Sequence, residues 1–169
     1  EAQNDVANGT TKANSAIIHA GYDPEPGTLM ARLNTEGNRM AGEICERLGV
    51  PFARVGSFVL AFSEAECKTL ETLLHRGRVN GVPRLRILSG AEARAMEPNL
   101  SENVQAALHA PSAGIVNPWE FALAMAETAV ENGVQLCLQS PVTAICKTEG
   151  GFRVQTPHSA TQSVPLTVP

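Results

Sequence analysis

The residues best equipped for chemistry lie together near the start of the chain, in Gly9-Thr10-Thr11-Lys12-Ala13-Asn14-Ser15-Ala16-Ile17-Ile18-His19-Ala20-Gly21-Tyr22-Asp23. Thr10, Thr11, Asn14 and Ser15 bring hydroxyl and amide groups, Lys12 a positive charge, and Gly9 a backbone free to turn. A loop of this composition can wrap a polar cofactor, and equally it can be a solvated turn ahead of a strand. His19 follows two β-branched residues and precedes Ala20 and Gly21. An imidazole suits proton transfer near neutral pH, while a single histidine in an apolar stretch also serves as a structural residue. The residues by themselves leave both alternatives open.

Other candidates carry weaker signals. Arg32, Arg39, Arg47, Arg54, Arg76, Arg78, Arg84 and Arg86 include side chains that could grip a carboxylate or phosphate, for which the guanidinium fork is suited. Most read as surface charges, and Arg76 and Arg78 as cations at a helix end. Trp119 reads as a packing residue. His75, His109 and His158 have no partner at metal-ligand spacing, and Cys45, Cys67, Cys137 and Cys146 form no C-x-x-C pair, so no metal site is expected. The cysteines read as reduced thiols of a cytoplasmic protein.

Elements that could position these groups follow from periodicity. Leu29, Leu33, Met40, Ile44 and Leu48 recur at helical spacing over 27–48, with Gly49 and Pro51 ending the helix. Val55–Phe62 reads as a buried strand. Ser63 with Glu66, and Ser89 with Glu92, have capping-box spacing and predict two helix starts. Val104–Ala110 reads as a strand, and Asn117-Pro118-Trp119-Glu120 opens a helix that Gly133 closes. Alternation at Val134, Leu136 and Leu138 predicts a half-buried strand, and 142–154 a hairpin turning at Gly150-Gly151. The proline-bearing tail 157–169 is expected to be irregular. Interleaved strands and helices without a strict period indicate an α+β, or mixed α/β, fold.

Composition narrows the partners. The chain has 169 residues, 43% of them hydrophobic, enough for a packed core, and a net charge of −4. A net negative chain without a basic stripe is unsuited to nucleic acid, and aromatic content of 4% offers few stacking platforms. No apolar run reaches the roughly 20 residues of a membrane span.

Several stretches taken in order resemble a known family: Lys12–Asp23, Pro26-Gly27-Thr28-Leu29-Met30-Ala31-Arg32-Leu33, Arg76-Gly77-Arg78-Val79-Asn80-Gly81-Val82-Pro83, Glu97-Pro98-Asn99-Leu100 and Gly114-Ile115-Val116-Asn117-Pro118. They are similar to FAD-dependent oxidoreductases of the D-amino-acid oxidase superfamily, in the branch of the anaerobic glycerol-3-phosphate dehydrogenase-like proteins and L-2-hydroxyglutarate dehydrogenases. The resemblance runs from Glu1 to about Thr156. It implies the substrate domain of a two-domain FAD-linked enzyme, a mixed or antiparallel sheet flanked by helices, with remnants of the FAD-binding domain. It further implies that the loop represented by Thr10, Thr11, Lys12, Ala13, Asn14 and Ser15 lines the flavin and its pyrophosphate. Glu1 would stand at the ribose-binding acidic position, and Val142, opening Val142-Thr143-Ala144-Ile145, at the backbone contact to adenine. His19 would be the catalytic residue, accepting the hydroxyl proton of a small 2-hydroxy acid or of glycerol 3-phosphate.

Resemblance also exposes departures. The family's G-x-G-x-x-G fingerprint, which seats the pyrophosphate on a helix N-terminus, occurs nowhere in the sequence, and the tail does not match the C-terminal flavin-binding segment. The expectation is therefore a central fragment: 1–48 a remnant of the FAD-binding domain, 49–111 the substrate domain, 112–156 a return segment and 157–169 the tail. Alone it should neither retain FAD nor turn over substrate, and its opened apolar surfaces could drive self-association. Peripheral membrane association is compatible with the full-length enzyme. Two rival readings stand beside this one: an amino-acid or secondary-amine oxidase of the same superfamily, and a non-catalytic module that has lost the nucleotide-binding half.

Overall fold

In the computed structural model of the chain, residues 1–157 are described in full and 159–165 as backbone. The chain divides into two compact units, one of residues 15–117 and one of residues 1–14 with 118–169. The boundaries expected at 48/49 and 111/112 thus both fall inside the first unit.

The first unit opens with β1 (Ile17–Ile18), α1 (Leu29–Arg47), β2 (Phe52–Ala53) and β3 (Ser57–Ala61). It continues with α2 (Glu64–Val79), β4 (Arg86–Ser89), α3 (Gly90–Met96), β5 (Ala106–Ala110) and β6 (Gly114–Val116). Two antiparallel sheets result, ordered β1-β6-β2 and β3-β5-β4. In the second, Val59 and Ile87 stand on either side of Leu108. The core gathers Leu108, Ala110 and Ala61 of this sheet, Leu70 of α2, Val82 and Leu85, and also Ala20, the residue after His19. Removing a leucine side chain of this kind from water contributes about 1.5–3 kcal/mol.

Local signals explain the helix starts. Ser89 accepts from the Glu92 amide, while the Glu92 carboxylate accepts from the Ser89 amide and hydroxyl, so the predicted box is complete. These donations, the backbone one foremost, hold the Glu92 carboxyl below its ordinary pKa, with Arg86 adding to the effect. At α2 only half the box forms: Ser63 accepts from the Glu66 amide, but Glu66 reaches past it to the Phe62 amide.

The predicted face of α1 is not the buried one. Leu29, Leu33 and Met40 are exposed, and the buried residues are Ala31, Asn38, Ala41 and Cys45. Small side chains let neighbouring backbone come close. A Cβ on Gly21 would lie 2.5 Å from Thr35 Cγ2, so the strand-exit segment lies directly on the helix.

The second unit contains α4 (Pro118–Glu131), β7 (Ala144–Thr148), β8 (Gly151–Thr156) and β9 (Ser159–Pro165), the strands forming one antiparallel sheet. The hairpin predicted at Gly150-Gly151 is present, Thr148 pairing with Gly151. The expected irregular tail is corrected over Ser159–Pro165, which pairs with β8. A run rich in serine, threonine and valine is compatible with a strand once a free sheet edge is offered. His158 and 166–169 lie outside the described residues. The strand predicted at Val134–Gln139 does not form. Gln139 adopts a left-handed φ of 50°, and the Gln139 and Ser140 amides donate to the Gln3 and Glu1 carbonyls. Val134, Leu136 and Leu138 stay exposed, and no residue of α4 is buried, Trp119 at its start being about half exposed.

Among the described residues no helix is long and apolar enough to cross a membrane, and no cluster of His, Cys, Asp and Glu could hold a metal. The four cysteines are unpaired, and burial pushes the Cys45 thiol up.

Candidate functional site

His19 is placed by the residues around its backbone. Ala16 holds a left-handed φ of 63°, an uncommon conformation for a residue with a Cβ, and its carbonyl accepts from the Val116 amide. β1 then pairs with β6, Ile17 opposite Ile115 and Ile18 opposite Gly114. As the chain leaves the strand, the His19 carbonyl accepts from Asn34 Nδ2 and from Asn38 Nδ2, both at 3.0 Å. Ala20 is buried in the core and Gly21 turns with φ 106° against Thr35. From the other side, Asn80 Nδ2 donates to the Gly21 and Pro24 carbonyls, at 3.0 and 2.9 Å. Arg76 donates to the Asp23 carbonyl and pairs with Glu25. The helix-end cation of the sequence reading is thus also a clamp on this turn.

The His19 side chain remains exposed at a cavity of about 250 Å³, lined also by Gly21, Tyr22, Asp23, Pro24, Met30 and Asn34. Desolvation raises the pKa of the Tyr22 phenol; a hydrogen bond with Ser57 opposes the shift and Asp23 adds to it. Tyr22 therefore stays a neutral hydroxyl at physiological pH. An exposed imidazole on a fixed backbone, facing a cavity of this size, can take a proton from a small hydroxylated molecule.

The arginines separate into distinct groups. Arg32, Arg39, Arg54 and Arg84 line a larger cavity of about 510 Å³ together with Glu36. Arg54 is committed, donating to the Asn38 side-chain and backbone oxygens and to the Ser112 carbonyl, with Phe52 beneath its guanidinium at 5.2 Å. Arg47 pairs with Glu43 on the exposed face of α1. His109 is buried on β5 against Phe58; burial lowers its pKa, and Arg86, its neighbour in register, lowers it further.

The remaining predicted residues belong, except Ser15, to the second unit. Over residues 10–14 the loop is a run of turns in which the Ala13 amide donates to the Thr10 carbonyl and Asn14 Nδ2 to the Thr10 and Thr11 carbonyls. Lys12 Nζ donates to Asn8 Oδ1 at 2.6 Å. The Thr10 and Thr11 side chains are exposed, as are Ala13 and Ser15, and Ser15 lines a cavity of about 500 Å³ with Phe52 and Ile115. Exposed hydroxyls and an ammonium form a donor set that suits an anionic cofactor. The Glu1 carboxylate accepts from the Gln3 amide, and Val142 is exposed. Sequence reasoning missed Asn34, Asn38 and Asn80; the N-x-x-x-N spacing on a predicted helix was the available signal.

Two antiparallel sheets flanked by helices thus hold a histidine at the exit of the edge strand β1. The chain belongs to the FAD-dependent oxidoreductase family (DAO), which matches residues 1–167. It is similar to the glycerol 3-phosphate dehydrogenase of Caloramator mitchellensis, 55% identical over 156 residues that make up 92% of this chain and 32% of that protein. The mitochondrial L-2-hydroxyglutarate dehydrogenase of Dictyostelium discoideum is 32% identical over 118 residues, 69% of this chain and 26% of the relative. Among solved structures, the dithionite-reduced, FAD-bound L-α-glycerophosphate oxidase of Mycoplasma pneumoniae superposes with a TM-score of 0.88 at 30% identity, over 95% of this chain and 43% of that one. The chain therefore spans about a third of the curated relatives it matches.

Proposed function

We propose that this chain is the substrate-side portion of an FAD-dependent dehydrogenase or oxidase acting on the hydroxyl of glycerol 3-phosphate or a small 2-hydroxy acid. The observation that carries the reading is His19, exposed at a cavity while its backbone is held by two asparagines. In this reading His19 accepts the substrate hydroxyl proton. Bound FAD supplies the hydride acceptor. Thr10, Thr11, Lys12, Ala13, Asn14 and Ser15 hold its polar parts, Glu1 its ribose and the Val142 backbone its adenine. The names of the relatives, glycerol 3-phosphate dehydrogenase and L-2-hydroxyglutarate dehydrogenase, favour alcohol over amine oxidation. Exposed Leu29, Leu33 and Met40 on α1, and the unburied α4, suit a chain that completes its packing within a larger protein. In this reading residues 1–48 belong to the FAD-binding domain, 49–111 to the substrate domain and 112–156 to the return segment, and unpaired cysteines suit the cytoplasm.

The test has two stages. A flavin titration of the chain, followed by gel filtration and visible absorbance, should show folded protein without retained FAD; stoichiometric retention would overturn the fragment reading. In the FAD-loaded holoenzyme, anaerobic mixing with glycerol 3-phosphate or L-2-hydroxyglutarate should bleach the flavin, and His19→Gln should slow bleaching by about 10²–10⁴-fold. Bleaching by glycine but by neither hydroxyl compound would place the enzyme among the amine oxidases.

A further inference from the structure

We infer that Asn38, seconded by Asn34, is a positioning residue that fixes the backbone of His19 and so the point from which its imidazole reaches into the cavity. The inference rests on the proposed role of His19 and adds residues that family membership does not assign.

Asparagine is a poor choice for the middle of a helix, where its side chain competes for backbone groups, and a poor choice for burial unless its amide is fully bonded. Asn38 is both mid-helix and only 6% exposed. Its bonding explains the exception. Nδ2 donates to the His19 and Ser112 carbonyls, both at 3.0 Å, and lies 3.4 Å from the Ile18 carbonyl. Oδ1 accepts from Arg54 Nη1 at 3.1 Å. A guanidinium only donates and a carbonyl only accepts, so the amide has one workable orientation. Arg54 fixes that orientation, donating to the Asn38 carbonyl at 2.7 Å and to the Ser112 carbonyl as well.

Asn34 and Asn38 stand four residues apart, one turn of α1, and so share a helix face. Both donate to the same His19 carbonyl. Two donors on one oxygen fix the plane of the peptide that follows His19. Burial of Ala20 and the close approach of Gly21 to Thr35 fix the residues after it. What remains free at His19 is its side-chain torsions. General-base catalysis is sensitive to such placement, and a displacement near 1 Å can cost about a hundredfold in rate.

Two substitutions separate positioning from fold support. Asn38→Asp keeps the shape and the acceptor facing Arg54 but turns an acceptor toward the His19 and Ser112 carbonyls. Asn34→Ala removes one of the two donations to the His19 carbonyl and leaves the Arg54 network untouched, so it keeps the test open if Asn38→Asp does not fold. In the chain itself, NMR should show one narrow set of His19 ring signals in the parent and broadened or shifted ring signals in the folded variants. In the FAD-loaded holoenzyme, either variant should lower the limiting rate of flavin reduction by about 10–100-fold while substrate dissociation changes less than about twofold. Parent-like ring signals and reduction rate in every variant that folds, Asn34→Ala alone if Asn38→Asp does not, with His19→Gln slow, would overturn the positioning role. Fast reduction in His19→Gln would refute the catalytic reading beneath it, a result distinguishable because the two asparagine variants do not enter it.

Discussion

Gly21→Ala tests the packing that carries His19. The residue has φ 106°, a backbone region that side-chain-bearing residues rarely adopt, and an added Cβ would stand 2.5 Å from Thr35 Cγ2. Holding a residue in such a conformation costs about 1–3 kcal/mol, and forcing a methyl into filled space about 1–3 kcal/mol more. The sum, about 2–6 kcal/mol, is a large share of the roughly 5–15 kcal/mol that holds a typical domain. Thr35→Ser in the same background removes Cγ2 but keeps the hydroxyl that donates to the Ala31 carbonyl. It should recover the steric part and leave the conformational part. Urea unfolding followed by circular dichroism, across the four proteins of the double-mutant cycle, gives both parts. Gly21→Ala within about 0.5 kcal/mol of the parent would refute the close approach. A substantial loss that Thr35→Ser does not relieve would assign the cost to backbone conformation alone.

Two further results are expected. Ser89→Ala should cost about 0.5–2 kcal/mol through the lost helix cap, and, because the Ser89 amide still donates, should return the Glu92 carboxyl only part of the way toward its ordinary value of 4.5, read by NMR titration. His109 has a folded pKa lowered from 6.5, so below that value the unfolded chain binds the extra proton. Stability should then fall as pH drops from 6.5 through the folded pKa, by at most about 1.4 kcal/mol per pH unit from this group. His109→Gln should remove that part of the slope in urea unfolding, and an unchanged slope would refute the assignment.

The sequence by itself determined what depends on neighbours along the chain. Ser63 and Ser89 start helices, Gly49 and Gly133 follow helix ends, and the hairpin turns before Gly151, because caps and turns are local bonding problems. Order and type of residues from Lys12 to Pro118 also sufficed to mark the family. The tertiary structure decided what depends on the opposing surface. Helical spacing placed Leu29, Leu33 and Met40 on an apolar face, yet Ala31, Asn38, Ala41 and Cys45 are the residues buried, since only small side chains admit a backbone as close as Gly21. Alternation at Val134, Leu136 and Leu138 predicted a strand that finds no ladder within its unit, whereas Ser159–Pro165 became one on the free edge of β8. His19 was visible from its neighbours in sequence. The donors that hold it, Asn34 and Asn38, lie 15 and 19 residues along the chain and meet it only when α1 folds back on the strand exit.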